Sequence, residues 1–426
     1  MLYGKNSTSP PLYNLFVRLY VFGIRLAGFF MPKARKWVDG RKGWKNRVAE
    51  IGEECTGAIW VHCASLGEYE MARPLIDKIL DRDPNEKVVL SFFSPSGFEH
   101  ARLRDEVKKF YLPPDTITNA KYCIDHLDPR VLIFVKYDLW FNLIGLAHRQ
   151  NIPLYIFNYH PSPSTLNHPL YGGMLMRSLR KFIKIYTLNQ RGYELLSNKQ
   201  GLNLEVGGDS RFNNVLQRAK RDKDDEKLDL FSRNFDRVFV CGSIWKADWE
   251  VIKDAVEGNS NIGWIVAPHE IEPKKIEKTM GGSRKVNFLY YTSDNVEKGN
   301  EEKNVLILDC IGKLAAAYRY GFAAYVGGGF GSGLHNILEP AAYGVPVAFG
   351  PKHRRFPEAV HFVENNIGQD VRNSEDFQKF VSDALAGEKY LSGKAVVDQL
   401  KKWAGRSEKM LEQLTDYIDD RKIKAN

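Results

Sequence analysis

From Ala58 onward the chain repeats one pattern: a run of five to seven aliphatic, β-branched or aromatic residues, then a stretch of helical length. The first set of runs is AIWVHC (58–63), KVVLSFF (87–93), VLIFVK (131–136), PLYIFN (153–158) and FIKIYTL (182–188). After a more polar zone come RVFVCG (237–242), GWIVAP (263–268), NFLYY (287–291), NVLILD (304–309), FAAYVG (322–327) and VPVAFG (345–350). Runs without polar alternation are strands buried on both faces, and strands separated by helices run parallel. Two such sets predict two parallel-sheet α/β domains, and 426 residues suffice for each to bury its own core. The charged segment 217–230 reads as a solvated helix or linker between them. Apolar spacing at Leu400, Trp403, Met410, Leu411, Leu414 and Ile418 predicts one or two closing helices. The expected division is an N-terminal segment 1–47, domains over 48–205 and 206–395, and a helical tail 396–426.

A hydrophobic share of 43% and a charged share of 27% exclude wholesale disorder. Lys and Arg number 61 against 52 Asp and Glu, so a net charge of +9 allows an anionic partner. The five cysteines are odd in number, scattered and free of any C-x-x-C pair, which argues against a disulfide framework or structural zinc and fits a reducing compartment. No His, Cys and carboxylate cluster has metal-ligand spacing, so neither metal nor cofactor is expected.

Between Leu12 and Phe30 the sequence is almost wholly apolar and about as long as a spanning helix, yet Arg18 and Arg25 sit near its middle. Each would cost roughly 2.5 to 3.5 kcal/mol at a bilayer centre. At about 100° per residue Asn14, Arg18 and Arg25 fall within about 40°, one polar stripe on an apolar cylinder. That describes a helix lying in a membrane interface. KARKWVDGRKGWKNR (33–47) follows, with seven basic residues and two tryptophans, a composition suited to phospholipid headgroups. The alternative is a helix packed on the protein's own surface beside a solvated basic loop. The longest uncharged run between the arginines is six residues, too short for a signal peptide's apolar region.

In open parallel sheets ligands bind beyond the carboxyl ends of strands, so chemistry is expected in the loops there. The richest is VGGGFGSGLHNILEPAAYGVP (326–346), in which Gly327, Gly328, Gly329, Gly331 and Gly333 precede a helix expected from Asn336. Glycines and a helix N-terminus suit a nucleotide phosphate, although the spacing is neither Walker A nor the dinucleotide fingerprint. Asn336 and Glu339 also have the spacing of a capping box, and His335 fits a packed loop histidine equally well. Ser65-Leu66-Gly67-Glu68 repeats that ambiguity at a strand-to-helix turn: Glu68 can cap the helix or take a proton from a substrate hydroxyl, and a cap does not exclude a base. Weaker candidates are Lys136 and Asp138, Arg211, His269 and Glu270, and the Lys352 to Arg355 group, each readable as a solvated charge or local ion pair.

HCASLGEYEMARPLI (62–76) resembles the segment W-x-H-x-A-S-x-G-E-x-x-x-x-x-P-L-I of the 3-deoxy-D-manno-octulosonic acid (Kdo) transferases, and VGGGFGSGLHNILEPAAYGVPVAFGP (326–351) resembles their G-G-S-x-x-x-x-G-G-H-N-x-L-E-P-A-A segment. SPSGFEHA, YLPPD, DLWFNLI, GGDSRFNNV and CGSIWKADWE match lesser blocks in the same order. The resemblance implies a GT-B fold, with an acceptor-binding first domain and a nucleotide-sugar-binding second domain, anchored at the cytoplasmic face of the Gram-negative inner membrane. It implies transfer of Kdo from CMP-Kdo to a lipid A precursor in lipopolysaccharide biosynthesis, inverting and without bound metal, with no nucleic-acid partner. Glu68 matches the family's general base, with Ser65 and Gly67 beside it. Gly327, Gly328, Gly329, Asn336 and Glu339 match its CMP-binding loop, Glu339 being expected near the ribose and Ser243 near the donor phosphate, with His335 a further candidate for substrate binding in that loop.

Two blocks depart from that pattern. E-T-E-L-W-P-N stands here as Lys136-Tyr137-Asp138-Leu139-Trp140-Phe141-Asn142, and P-R-H-P-E as Pro268-His269-Glu270-Ile271-Glu272. An acid has become lysine and an arginine is lost, leaving Lys246, Arg211 or Lys352 to meet the donor's charge. The same features also fit a GT-B transferase using a UDP-sugar on another lipid acceptor, or a non-catalytic polyanion-binding membrane-surface protein.

Overall fold

The computed structural model describes residues 11–221, 224–281, 288–293, 303–331, 333–387 and 389–425, the side chains of 421–425 excepted. Two compact units divide the chain, 1–214 with 403–426 and 215–402.

The first unit is built on seven strands: Ile59–Cys63 (β1), Val88–Phe92 (β2), Val107–Tyr111 (β3), Val131–Val135 (β4), Leu154–Tyr159 (β5), Lys184–Thr187 (β6) and Leu204–Val206 (β7). They run parallel in the order β3-β2-β1-β4-β5-β6-β7. Every residue of β1, β2, β4 and β5 is buried, as helices on both faces require. Successive side chains point to opposite faces. Trp60, Phe134 and Ile144 therefore belong to one core, and Val61, Leu75 and Phe157 to the other. The latter core is completed by Met410, Leu411, Leu414 and Ile418 of the last helix, Gly393–Ala425.

The second unit holds Arg237–Ile244 (β8), Ile262–Pro268 (β9), Phe288–Tyr290 (β10), Val305–Ile307 (β11), Ala323–Val326 (β12), Val347–Phe349 (β13) and Gly368–Asp370 (β14). These too are parallel, in the order β10-β11-β9-β8-β12-β13-β14. Phe239, Trp249, Trp264, Tyr325 and Phe377 form the centre of its core.

Three strands lay outside the sequence reading, and all three are sheet edges: β3, β7 and β14. An edge strand is short or carries charge because only one side is paired, and β3 indeed bears Lys108 and Lys109. The segment 217–230 covers the end of one helix, Arg211–Arg221, and the start of another, Glu226–Ser232, which Asp225 caps by accepting the Leu228 N–H at 3.2 Å.

The N-terminal segment forms a helix, Pro11–Ala27, then turns by 119° into a second, Pro32–Asp39. The Arg35 side chain closes the corner by donating to the carbonyls of Gly28 and Phe29. Among the described residues no single helix is long and apolar enough to cross a membrane. The first helix is tied down on its polar side: the Tyr13 hydroxyl donates to Asp115 at 2.7 Å, and the Asn142 amide donates to Asn14 at 2.8 Å. Its apolar residues Leu12, Leu15, Phe16, Leu19 and Phe22 face outward and are exposed, reversing the usual orientation of an amphipathic helix on a soluble core.

Leu414 is 1% exposed in the first unit's core. Leu414→Ala is expected to destabilise that unit by about 2–5 kcal/mol, seen in denaturant unfolding as an earlier transition that leaves the other unit's transition in place.

Candidate active site

In both sheets the strand order reverses beside the first strand formed, between β1 and β4 and between β8 and β12. Loops leaving neighbouring strands part in opposite directions there, and the crevice left is where such sheets bind ligands.

The first crevice lies at the ends of β1 and β4. Ser65 stands at the N-cap of the helix Leu66–Arg82, but its side chain makes no capping bond. Glu68, in the helix's first turn, reaches back, and its carboxylate accepts the backbone N–H groups of Ala64 and Ser65. Only half of the expected capping box is thus formed. Gly67 is exposed, and a Cβ there would meet nothing within 4 Å. From the other lip of the crevice Lys136 and Asp138 act on the same carboxylate. Lys136 adopts φ +69°, a left-handed conformation uncommon for a residue with a Cβ and often seen at functional sites.

Glu68 is only 5% exposed. Burial, and then the neighbouring Asp138 charge, push its pKa up to about 8 against the opposing pull of the backbone N–H groups and Lys136. Asp138 is itself raised by burial, with Lys136 opposing.

Behind this carboxylate runs a neutral network that the sequence reading missed. Trp140 donates its indole N–H to His62 Nε2 at 2.7 Å, which leaves the ring proton on Nδ1 to donate to Ser91 Oγ at 2.8 Å. Trp60 donates to the same oxygen at 2.8 Å. Burial lowers His62 to about 3, so the ring is an uncharged hydrogen-bond bridge. Its sequence signal was a histidine inside an otherwise apolar strand.

The second crevice lies at the ends of β8 and β12. Asp248 holds it together: one carboxylate oxygen accepts the N–H groups of Trp245 and Gly328, each at 3.0 Å, and the other accepts the Tyr325 hydroxyl at 2.8 Å. The spacing W-x-x-D in 245–248 was its only trace in the sequence. Ser243 sits in a left-handed conformation, φ +55°, where the β8 register shifts.

The glycines serve closeness. A Cβ on Gly327 would lie 2.3 Å from the Ser243 carbonyl oxygen, and one on Gly329 would lie 2.6 Å from the Gly350 nitrogen. Gly328 has φ +92°, and its Cβ would meet the Gly333 oxygen at 2.2 Å. The Gly327 and Gly328 N–H groups are already given to Gly242 and Asp248. Beside them Trp245 stacks on His269 at 4.0 Å, His269 lies 4.7 Å from His335, and His335 Nε2 accepts the Trp245 indole N–H at 3.2 Å. His335 is lowered to about 4, first by burial and then by His269.

The helix expected from Asn336 begins at Leu338, and the reciprocal cap does not form: Asn336 Oδ1 accepts the Leu338 N–H at 3.2 Å, while its amide donates to Glu339 at 3.4 Å. Glu339 also lies 3.6 Å from Arg218. Lys352 donates its ammonium to the Phe330 carbonyl at 2.8 Å, and Lys246 is exposed at the first turn of its helix. Arg211 belongs to the first unit, where Asp209 holds it in a forked ion pair. Among the described residues no group of three or more His, Cys, Asp or Glu could hold a metal ion.

Two seven-stranded doubly wound sheets of this kind define the GT-B class of α/β enzymes. A solved UDP-GlcNAc 2-epimerase from Neisseria meningitidis shares the fold, with a TM-score of 0.55 at 12% identity over 86% of this chain and all of that one. Residues 42–214 match the family model described as 3-deoxy-D-manno-octulosonic-acid transferase. The chain is 27% identical over 350 residues to the 3-deoxy-D-manno-octulosonic acid transferase of Aquifex aeolicus, covering 79% of this chain and 88% of the relative. It is 25% identical over 336 residues to a bifunctional glycosyltransferase/methyltransferase of Fusobacterium nucleatum, covering 76% of this chain but only about half, 52%, of that longer relative. These likenesses to Kdo transferases extend over most of the chain and support a glycosyltransferase.

Gly329→Ala must displace Gly350 backbone and is expected to lower the second unit's melting temperature by several degrees. Gly331→Ala, whose nearest neighbour would be 3.7 Å away, is expected to leave it unchanged. A second test concerns Glu68. Because its folded pKa stands above that of an unfolded carboxylate, the folded protein keeps a proton that the unfolded chain has released, and stability falls as pH rises through about 8. Denaturant titrations of Glu68→Gln at stepped pH should lack this part of the fall.

Proposed function

We propose that this glycosyltransferase moves Kdo from CMP-Kdo to a sugar hydroxyl of a lipid A precursor, with Glu68 as general base. The acceptor is assigned to the first unit and the donor to the second. The observation that carries the reading is Glu68 itself: a buried carboxylate at a switch point, held toward Ala64 and Ser65, with a pKa near the operating pH, inside the segment that matches the family.

The chemistry follows from that placement. The acceptor oxygen forms a bond to the Kdo anomeric carbon as the bond from that carbon to the CMP phosphate oxygen breaks, and the electron pair leaves with CMP. The hydroxyl proton passes to Glu68, and attack opposite the leaving group inverts the centre. Asp138 raises Glu68's proton affinity, making it a stronger base than an exposed glutamate, while Lys136 limits the shift.

In the second unit, Glu339 is offered to the ribose hydroxyls, and Ser243, Asn336 and Lys352 to the nucleotide. Trp245 and His269 present a stacked aromatic pair at the same crevice. The outward apolar face of the helix Pro11–Ala27 supports association with the cytoplasmic face of a bacterial inner membrane, where such an acceptor lies.

Glu68→Gln retains a group that can accept the Ala64 N–H but cannot take a proton. With CMP-Kdo and lipid A precursor, turnover is expected to fall about 10²- to 10⁴-fold while the melting curve keeps its shape. Full turnover in this variant would sink the assignment. For the parent enzyme kcat/KM is expected to rise with pH and level off above about 8, since the free enzyme's base must be ionised.

A further inference from the structure

We propose that the groove between the helix Pro11–Ala27 and the segment 37–44 is a seat for a phosphate group of the glycolipid acceptor, with Arg41 in its buried part and Arg18 and Arg25 on its rim. This rests on the lipid-acceptor reading above. The groove has a volume of about 660 Å³ and lies entirely within the first unit. Arg18, Arg25, Arg41 and Lys42 line it together with Trp37 and Trp44, and no acidic residue among the described ones does.

Arg41 is the unusual member. It is 8% exposed, and its guanidinium donates to three carbonyl oxygens: Leu112 at 2.9 Å, Trp37 at 3.0 Å and Phe93 at 2.7 Å. It also lies over the rings of Trp37, Phe93 and Tyr111, at 3.8, 4.7 and 5.1 Å. Carbonyls and ring faces solvate a cation without neutralising it, and among the described residues no carboxylate forms an ion pair with this one. Burial consequently pulls its pKa down to about 9, whereas an ion pair would push it up. A buried, fixed cation with spare N–H donors and no counter-ion is arranged for an anion from outside. Arg18 and Arg25 are exposed on the same groove and add charge without an acidic partner among the described residues; Lys42 is engaged with Asp39 at 2.7 Å.

Position selects the occupant. The Tyr20 ring stacks on Phe93 at 6.4 Å, the Arg41 guanidinium lies over that same ring, and Phe93 packs on Trp140 at 4.6 Å, two residues beyond Asp138, so the groove is continuous with the loop that faces Glu68. The outward face of the same helix offers exposed Leu15, Phe16, Leu19 and Phe22. A molecule that places acyl chains there, an anion at Arg41 and a sugar hydroxyl at Glu68 is a phosphorylated glycolipid. A bulk phospholipid meets only the first two requirements.

The test is flotation of the full-length protein with phosphatidylcholine vesicles doped with lipid A precursor, with its dephosphorylated form, or with phosphatidylglycerol. Binding is expected to be about tenfold tighter to the first than to either of the others. Arg18→Gln combined with Arg25→Gln, both exposed and so compatible with folding, is expected to remove most of that margin. Equal binding to the dephosphorylated lipid or to phosphatidylglycerol overturns the proposal, as does an unchanged margin in the double variant. Turnover with CMP-Kdo, measured separately, keeps the two ideas apart: the margin without transfer refutes the activity alone, and transfer without the margin refutes the groove alone.

Discussion

Both candidate crevices exist because a parallel sheet cannot continue in one direction and also reverse its strand order without leaving a gap. At the reversal between β1 and β4 the gap receives Glu68 from one lip and Lys136 and Asp138 from the other. At the reversal between β8 and β12 it receives Ser243 and Trp245 from one side and the glycine loop from the other. The rest of each unit, two packed faces of buried apolar side chains, holds those lips at fixed separation.

Within those gaps charge is managed by different means. In the first unit two carboxylates share one ammonium, so burial is only partly offset and Glu68 retains a high proton affinity. The histidine behind it is kept neutral between Trp140 and Ser91, which adds no positive charge that would lower that affinity. In the second unit Asp248 spends its carboxylate on two backbone N–H groups and a tyrosine hydroxyl, acting as a brace between loops. Arg41 is a third case, a cation dissolved in carbonyls and ring faces with its charge still uncompensated.

The parts that were legible were those fixed by local pattern. The central strands could be read because burial on both faces demands unbroken apolar runs, while β3, β7 and β14 escaped because an edge needs no such run. Glu68 could be singled out by its place after a strand, but S-x-x-E cannot tell a cap from a base. Asn336 and Glu339 have capping-box spacing and do not form the box, because the helix begins later and the two side chains bond each other. Arg41 could not be told from its neighbours in the basic segment 33–47, whose composition suits phospholipid headgroups, since exposure is not a property of neighbours in sequence.

The order of residues alone determined two parallel α/β sheets, the glycine loop, the apolar N-terminal helix and the place of the candidate base, since each depends on periodicity or on contacts a few residues apart. Tertiary structure decided which charges meet. Asp138 stands 70 positions from Glu68 in the chain, and whether it raises or relieves that carboxylate depends on distance and burial. Electrostatic energy is set by separation in space and by access to water, and neither is written in sequence spacing.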